Sequence, residues 1–247
     1  MTNKSKTIAL IGEDAKERFD NPLSQIDINV VYLPRDDRLA LPVSSHADML
    51  ILKLNDKIIC NNDYYKSNIE IFNRIKNFGY QIIPMDFNLS SKYPDDVTLN
   101  QAIIGKYVLG LKTACKNNIL AYIEESGFEY FNVKQGYAKC STLILNENAI
   151  ISADESIIKA ANTIGIDTLK IKNTDGNISL SGYNYGFIGG ASFVCDNTVY
   201  FFGNLDLHSN NKEIRSFCEN HGSSVISLDK DMLCDVGGAI ILPCLKD

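Results

Sequence analysis

The sequence has no excess of basic charge: 24 lysines and arginines stand against 30 aspartates and glutamates, a formal net charge of −6 over 247 residues. Nonspecific nucleic-acid binding needs a basic footprint, so that class of partner is set aside. No apolar run approaches membrane-spanning length, and the opening Met1-Thr2-Asn3-Lys4-Ser5-Lys6 lacks the apolar core of a signal peptide. The expectation is therefore a cytoplasmic chain with no membrane partner. No C-x-x-C pair occurs, and the seven cysteines are an odd number. That pattern reads as reduced thiols, with neither a disulfide framework nor a zinc site. No metal or cofactor is expected.

An apolar content of 45% is ample for a core, as one large domain or as a repeat array. The stretch from Gly136 to Ser152 carries the organising pattern. Two β-prone runs, Thr142 to Leu145 and Ala149 to Ile151, flank the polar Asn146-Glu147-Asn148 and predict a hairpin. Asp154 then offers an N-cap, Ile157, Ile158, Ala161 and Ile164 follow at helical spacing, and Gly165 suits the C′ position. Ile166 to Lys172 reads as a returning strand. The unit is strand, strand, helix, strand.

The same order recurs. In one pass Met49 to Leu54 and Lys57 to Cys60 form the hairpin, Asp63 caps a helix with Ile69, Ile71, Phe72, Ile75 and Phe78, Gly79 ends it, and Tyr80 to Met85 returns. In the next, Leu99 to Ile104 and Tyr107 to Leu111 pair, a helix carries Ile119, Leu120 and Ile123, and Phe128 to Val133 returns after Gly127. Another pairs Ala191 to Val194 with Val199 to Phe202, places Ile214, Phe217 and Cys218 on a helix, and returns from Ser223 to Leu228 after Gly222. The N-terminal segment has strand Lys6 to Gly12, a helix from Glu13 to Phe19 broken at Asn21-Pro22, and strand Ile28 to Leu33, with no first hairpin strand. The C-terminal segment, Ala239 to Leu242, is a first strand with no continuation.

Joining the two ends completes a fifth unit and closes a ring, so residues 1–247 are expected to form one closed α/β-propeller domain. Closure also hides the edge strands an open array would leave exposed. The alternative, a doubly wound α/β sheet suggested by the opening KTIALIGEDA, requires strict alternation of strand and helix, and the hairpins before each helix oppose it.

Five ββαβ units closed head to tail resemble the pentein fold, shared by guanidino-group-modifying enzymes (arginine deiminase, dimethylarginine hydrolase, agmatine deiminase, amidinotransferases) and by non-catalytic ribosome anti-association factors. His46-Ala47-Asp48 before a first strand, and the pairs Gly189-Gly190 and Gly237-Gly238, resemble the family's His-x-Asp and glycine-rich elements. The resemblance implies that the segments leading into the five first strands converge on one central site. They carry His46 and Asp48; Asp95, Asp96 and Asn100; Lys139 and Cys140; Gly189, Gly190 and Ser192; and Cys234 and Asp235.

In the enzymes a cysteine thiolate attacks the guanidinium carbon, a histidine moves protons, and acidic side chains hold the N–H fork. By that implication Cys140 is the nucleophile and His46 the acid/base. Asp48, Asp95 and Asp96 form the guanidinium clamp, with Asn100, Lys139, Gly190 and Asp235 completing the substrate site. Lys139 and the glycine-rich surroundings are expected to favour the Cys140 thiolate, and the spacing of His46 and Asp48 puts both on one face of a strand. The enzymes carry their cysteine in the C-terminal first strand, where this sequence reads Gly237-Gly238-Ala239, so a site at Cys140 is a rotated version of theirs. Two readings stand. One is a cysteine hydrolase or transferase acting on a small cationic guanidino or amidine compound. The other is a non-catalytic pentein that binds a ligand or protein partner.

Overall fold

The computed structural model describes residues 7–172 and 177–245. Strand β1 (Thr7–Gly12) is followed by a 3-10 turn over Glu13–Ala15, helix α1 (Lys16–Ser24) and strand β2 (Asn29–Leu33). Lys6, expected to open β1, lies outside the described residues. Pro22 does not stop α1. It stands near the end of the helix, where one lost i→i−4 bond costs little, while Phe19 and Leu23 bury the inner face.

The next unit begins with one helical turn, α2 (Ala47–Leu50), before strands β3 (Ile51–Leu54) and β4 (Lys57–Asn61). The expected strand from Met49 therefore starts two residues later. His46 and Asp48 sit at the N-cap and in the first turn of a helix, not on one strand face. All four residues of that turn are buried, so their apolarity carries no period that separates helix from strand. Asn61 caps α3 (Asn62–Ser67) by accepting from the Asp63 N–H, the role expected of Asp63. Asn68 breaks the helix, and α4 (Ile69–Asn77) buries Phe72 and Ile75 and leaves Ile69 exposed before β5 (Gln81–Met85).

Strands β6 (Ala102–Ile104) and β7 (Tyr107–Gly110), helix α5 (Asn117–Glu125) and strand β8 (Glu129–Asn132) form the following unit. The unit read first from the sequence is β9 (Thr142–Asn146), β10 (Ala149–Ser152), α6 (Glu155–Thr163) and β11 (Asp167–Lys170). Asp154 caps α6 through the Ser156 and Ile157 N–H groups, and Gly165 takes φ +79° just past its end, the left-handed conformation that closes a helix. A short strand β12 (Ile178–Ser179) precedes β13 (Ser192–Cys195), β14 (Thr198–Phe201), α7 (Asn211–Asn220) and β15 (Ser224–Ser227). Strand β16 (Leu233–Cys234), which pairs with β12, and strand β17 (Ala239–Pro243) complete the described chain.

Four three-stranded sheets, β3-β4-β5, β6-β7-β8, β9-β10-β11 and β13-β14-β15, share one pattern: the first pair is antiparallel and the second parallel. The fifth takes a strand from each end of the chain. β17 runs antiparallel to β1 with Ile8 opposite Leu242, and β1 runs parallel to β2. Side chains, not a shared ladder, join neighbouring sheets: β6 lies against β9, β9 against β13, and β13 against β17. Among the described residues no helix is long and apolar enough to cross a membrane.

Candidate functional site

The segments leading into the first strands come together, and a thiol, a carboxylate and an imidazole meet there. The Cys140 thiol donates to Asp48 Oδ2 at 2.8 Å across 92 residues of sequence. One ligand atom each of His46, Asp48 and Cys140 lie within 4.8 Å of one another. Asp235 stands behind the imidazole, with Oδ1 3.8 Å from His46 Nδ1. All four side chains are buried: Cys140 is 2%, His46 3%, Asp48 1% and Asp235 3% exposed.

Local structure fixes each of them. Asn100 turns its side chain into the cluster; Oδ1 accepts from the Lys139 N–H (2.8 Å) and the Cys140 N–H (3.1 Å), and Nδ2 approaches Cys140 Sγ at 3.3 Å. It holds the loop that presents the sulfur. Asp235 accepts from the Phe187 N–H and the Gly237 N–H, so its carboxylate is tied to two backbone segments. Gly190 donates its N–H to the Cys140 carbonyl, and a Cβ there would collide with the Asp235 carboxylate. Gly237 takes φ +77°, and a Cβ on it would collide with His46. The glycine pairs serve close backbone approach. Lys139 flanks the cluster and donates from Nζ to the Gly189 carbonyl at 3.3 Å.

Two of the expected clamp residues are engaged by other partners. Asp95 pairs with Lys116 at 2.5 Å and accepts from Asn88, and these partners hold its carboxyl below the usual range. Asp96 is buried, but one oxygen accepts from the Tyr137 hydroxyl at 2.5 Å and the other has no partner among the described residues. Tyr137 stacks on Phe187, with ring centroids 6.1 Å apart, and leans towards Tyr93. Asp48 is the clamp candidate that reaches the sulfur.

The electrostatics correct one expectation. Burial, then the charges of Asp48 and Asp235, push the Cys140 thiol well above its ordinary value, so the resting group is a thiol and not a thiolate. Lys139 exerts its pull on Asp48 instead: burial raises that carboxyl to about 6, with Lys139 and then His46 working against the rise. Two buried polar atoms of the cluster, Asp48 Oδ1 and His46 Nδ1, have no hydrogen-bond partner among the described residues. Such groups are rare in folded proteins.

Two hollows reach the cluster from different sides. One is a cleft of about 490 Å³ lined by His46 and Asp235, with Glu13, Asp14, Glu17 and Arg35 at its rim. Arg35 is held by Asp14, so four carboxylates face one guanidinium that is already paired. The other is a half-open cavity of about 270 Å³ bordered by Asp48 and Lys139 and by residues of β3, β6, β9, β13 and β17. Cys140 itself lines neither. The sequence reading missed the acidic rim, because Glu13, Asp14 and Glu17 look there like an ordinary solvated helix start. It also missed Lys53, although one lysine inside the apolar run Ile51-Leu52-Lys53-Leu54 is a visible break in pattern.

The architecture and site can be compared with known structures. DDAH from Pseudomonas aeruginosa, solved with citrulline, matches with a TM-score of 0.56 at 14% identity, covering 90% of this chain and 91% of that one. SxtG, an amidinotransferase from Microseira wollei, matches with a TM-score of 0.61 at 8% identity, over 97% and 94% of the two chains. The inosamine-phosphate amidinotransferase StrB1 from Streptomyces griseus gives 0.59 at 12% identity, over 95% and 80%. These are pentein-fold proteins that modify guanidino groups, and the fold of the present chain is the pentein fold. No curated protein matches the sequence. The chain belongs to the family of unknown function DUF6873, whose model matches residues 10–240.

Proposed function

We propose that this protein is a cysteine-dependent hydrolase or transferase acting on the guanidino or amidine group of a small cation, with Cys140 as nucleophile and His46 as acid/base. The observation that carries this reading is the meeting of Cys140, Asp48 and His46 within 4.8 Å at the convergence of separate segments. The reading treats residues 1–247 as one domain, a closed ring of five ββαβ units around that point, in a cytoplasmic protein needing no cofactor or metal. The pairing of β17 with β1 supports closure.

A cation is drawn to the cleft by its four carboxylates and reaches His46 and Asp235 at its floor. Asp48 Oδ1, with no partner of its own, accepts one N–H of the planar fork. The positive charge beside the sulfur opposes the push of Asp48 and Asp235 and lowers the thiol pKa, so the thiol proton passes to His46 and the thiolate forms when the substrate is present. A sulfur–carbon bond forms at the guanidino carbon. The carbon–nitrogen bond then breaks as His46 delivers a proton to the departing nitrogen, and His46 recovers one from the incoming water or amine that displaces the sulfur. Asn100 keeps the sulfur in place throughout and is a positioning residue.

A non-catalytic binding protein is the second reading, favoured by one observation: Cys140 is 2% exposed and lines neither hollow. Incubation with a panel of guanidino and amidine compounds, followed by mass spectrometry for carbon–nitrogen cleavage, separates the two. The catalytic reading expects turnover of at least one compound, abolished in Cys140→Ser and with binding retained. Binding without turnover across the panel supports the second reading and overturns the first.

A further inference from the structure

The apolar cavity beside Asp48 has the opposite character to the cleft. Its walls are mostly apolar, with Ile51, Leu143, Phe193 and Ile240 each from a different sheet. Its polar groups include two lysines, Lys53 and Lys139, and a single carboxylate, Asp48. Lys139 is set against Asp48, whose carboxyl it pulls down. Lys53 has no such counterion. Its Nζ donates to the Ile241 carbonyl at 2.9 Å and lies 5.9 Å from the centre of the Tyr80 ring, and no carboxylate pairs with it among the described residues. Burial alone pulls the ammonium below its ordinary value. An ammonium has three donors, of which one is used here. Lys53 is half-buried, so its ammonium gives up part of its hydration with no carboxylate in return.

We propose that this cavity is a second binding site, for a small apolar monocarboxylate whose anionic end pairs with Lys53 and whose hydrocarbon end fills the space between the five first strands. The volume of about 270 Å³ is just under the roughly 300–1,000 Å³ of sites for drug-sized ligands, which limits the occupant to a short chain or a single ring. The two lysines of the lining favour an anion, where the carboxylates of the cleft favour a cation. The site stands whether or not Cys140 is a nucleophile. It rests on Lys53 and the first-strand side chains.

Isothermal titration of the full chain with straight-chain carboxylates from butanoate to octanoate, each beside its neutral amide, tests the site. The expected result is saturable one-to-one binding of one or more carboxylates and at least tenfold weaker binding of the matching amide. Lys53→Met, which keeps the stem and removes the charge, is expected to weaken the carboxylate at least tenfold; Lys53→Arg is expected to restore part of the loss. Val194→Trp, which fills the cavity from another strand, is expected to abolish binding without touching the charge. Far-ultraviolet circular dichroism reports whether each variant is folded, and the unmodified chain gives the decisive comparison of acid with amide. No binding of any carboxylate, equal binding of acid and amide, or undiminished binding to folded Lys53→Met overturns the proposal.

Discussion

The Cys140 thiol and the Asp48 carboxylate share a hydrogen bond of 2.8 Å inside a buried cluster. The pair decides the resting chemistry. Burial costs the ionised form of each group, and the charge of Asp48 pushes the thiol up further, while the hydrogen bond from the thiol works against the rise at Asp48. A neutral thiol beside a carboxyl that titrates near 6 is therefore the ground state, and the sulfur becomes nucleophilic only when a positive charge arrives.

The first prediction follows from Asp48. Its folded value of about 6 exceeds its ordinary value of 3.8, so between those pH values the folded chain holds a proton that the unfolded chain has released. Stability accordingly falls as pH rises through that window, and the cost persists above it. A gap of about two pH units corresponds to a cost on the order of 3 kcal/mol. Asp48→Asn keeps an acceptor for the thiol and removes the charge. Denaturant titrations from pH 4 to pH 7 are expected to show the variant gaining stability over the parent as pH rises, with the difference closing near pH 4. A variant less stable than the parent at pH 7 would refute the assignment.

The second prediction concerns the glycines behind the cluster. Gly237→Ala places a Cβ against His46 at a φ of +77°, and Gly190→Ala places one against the Asp235 carboxylate. Both are collisions deep in a packed site, the first with the backbone and side chain of His46 and the second with a carboxylate held by two N–H groups, and each is expected to lower stability by about 1–3 kcal/mol. Gly165→Ala is the control: its φ of +79° carries the strain but nothing stands within 4 Å of its Cβ, so the loss is smaller. Chemical denaturation of the three variants measures the order. Equal losses would mean that close approach at the centre contributes nothing.

How much of this was legible in the sequence depended on whether a pattern was local. Hairpin turns, helix caps such as Asp154 and closing glycines such as Gly79, Gly165 and Gly222 obey short-range rules, and the unit order could be read from them. The incomplete units at the two ends pointed to the pairing of β17 with β1. The helical turn at Ala47–Leu50 could not be read, because a turn buried on all sides shows no periodicity. Convergence of His46, Asp48 and Cys140 was implied by the pentein resemblance, whereas the partners of Asp95 and Asn100 are matters of side-chain direction that spacing does not encode. The thiol's raised pKa was illegible for the same reason, since it depends on burial and on a carboxylate 92 residues away.

The third prediction tests the joining of the termini. Ending the chain after Gly238 removes β17, uncovers the edge of β1 and takes away Leu242, a fully buried core side chain. The truncated chain is expected to lose cooperative thermal unfolding, followed by circular dichroism. A sharp transition at the parent's temperature would show that the fifth sheet does not depend on its C-terminal strand.

The most direct test of the central claim, that a cation in the cleft activates a resting Cys140 thiol, is site-resolved alkylation with 2-chloroacetamidine, a cation, beside neutral 2-chloroacetamide at pH 7. Cys234 and Cys244, the two cysteines not fully buried, are expected to react first with the neutral reagent. Cys140 is expected to react at least tenfold faster with the amidine than with the amide, and a Glu13→Gln, Glu17→Gln double variant to shrink that ratio while leaving the ratios at Cys234 and Cys244 in place. Labelling of Cys140 at the same rate by both reagents, or by neither, would contradict the account.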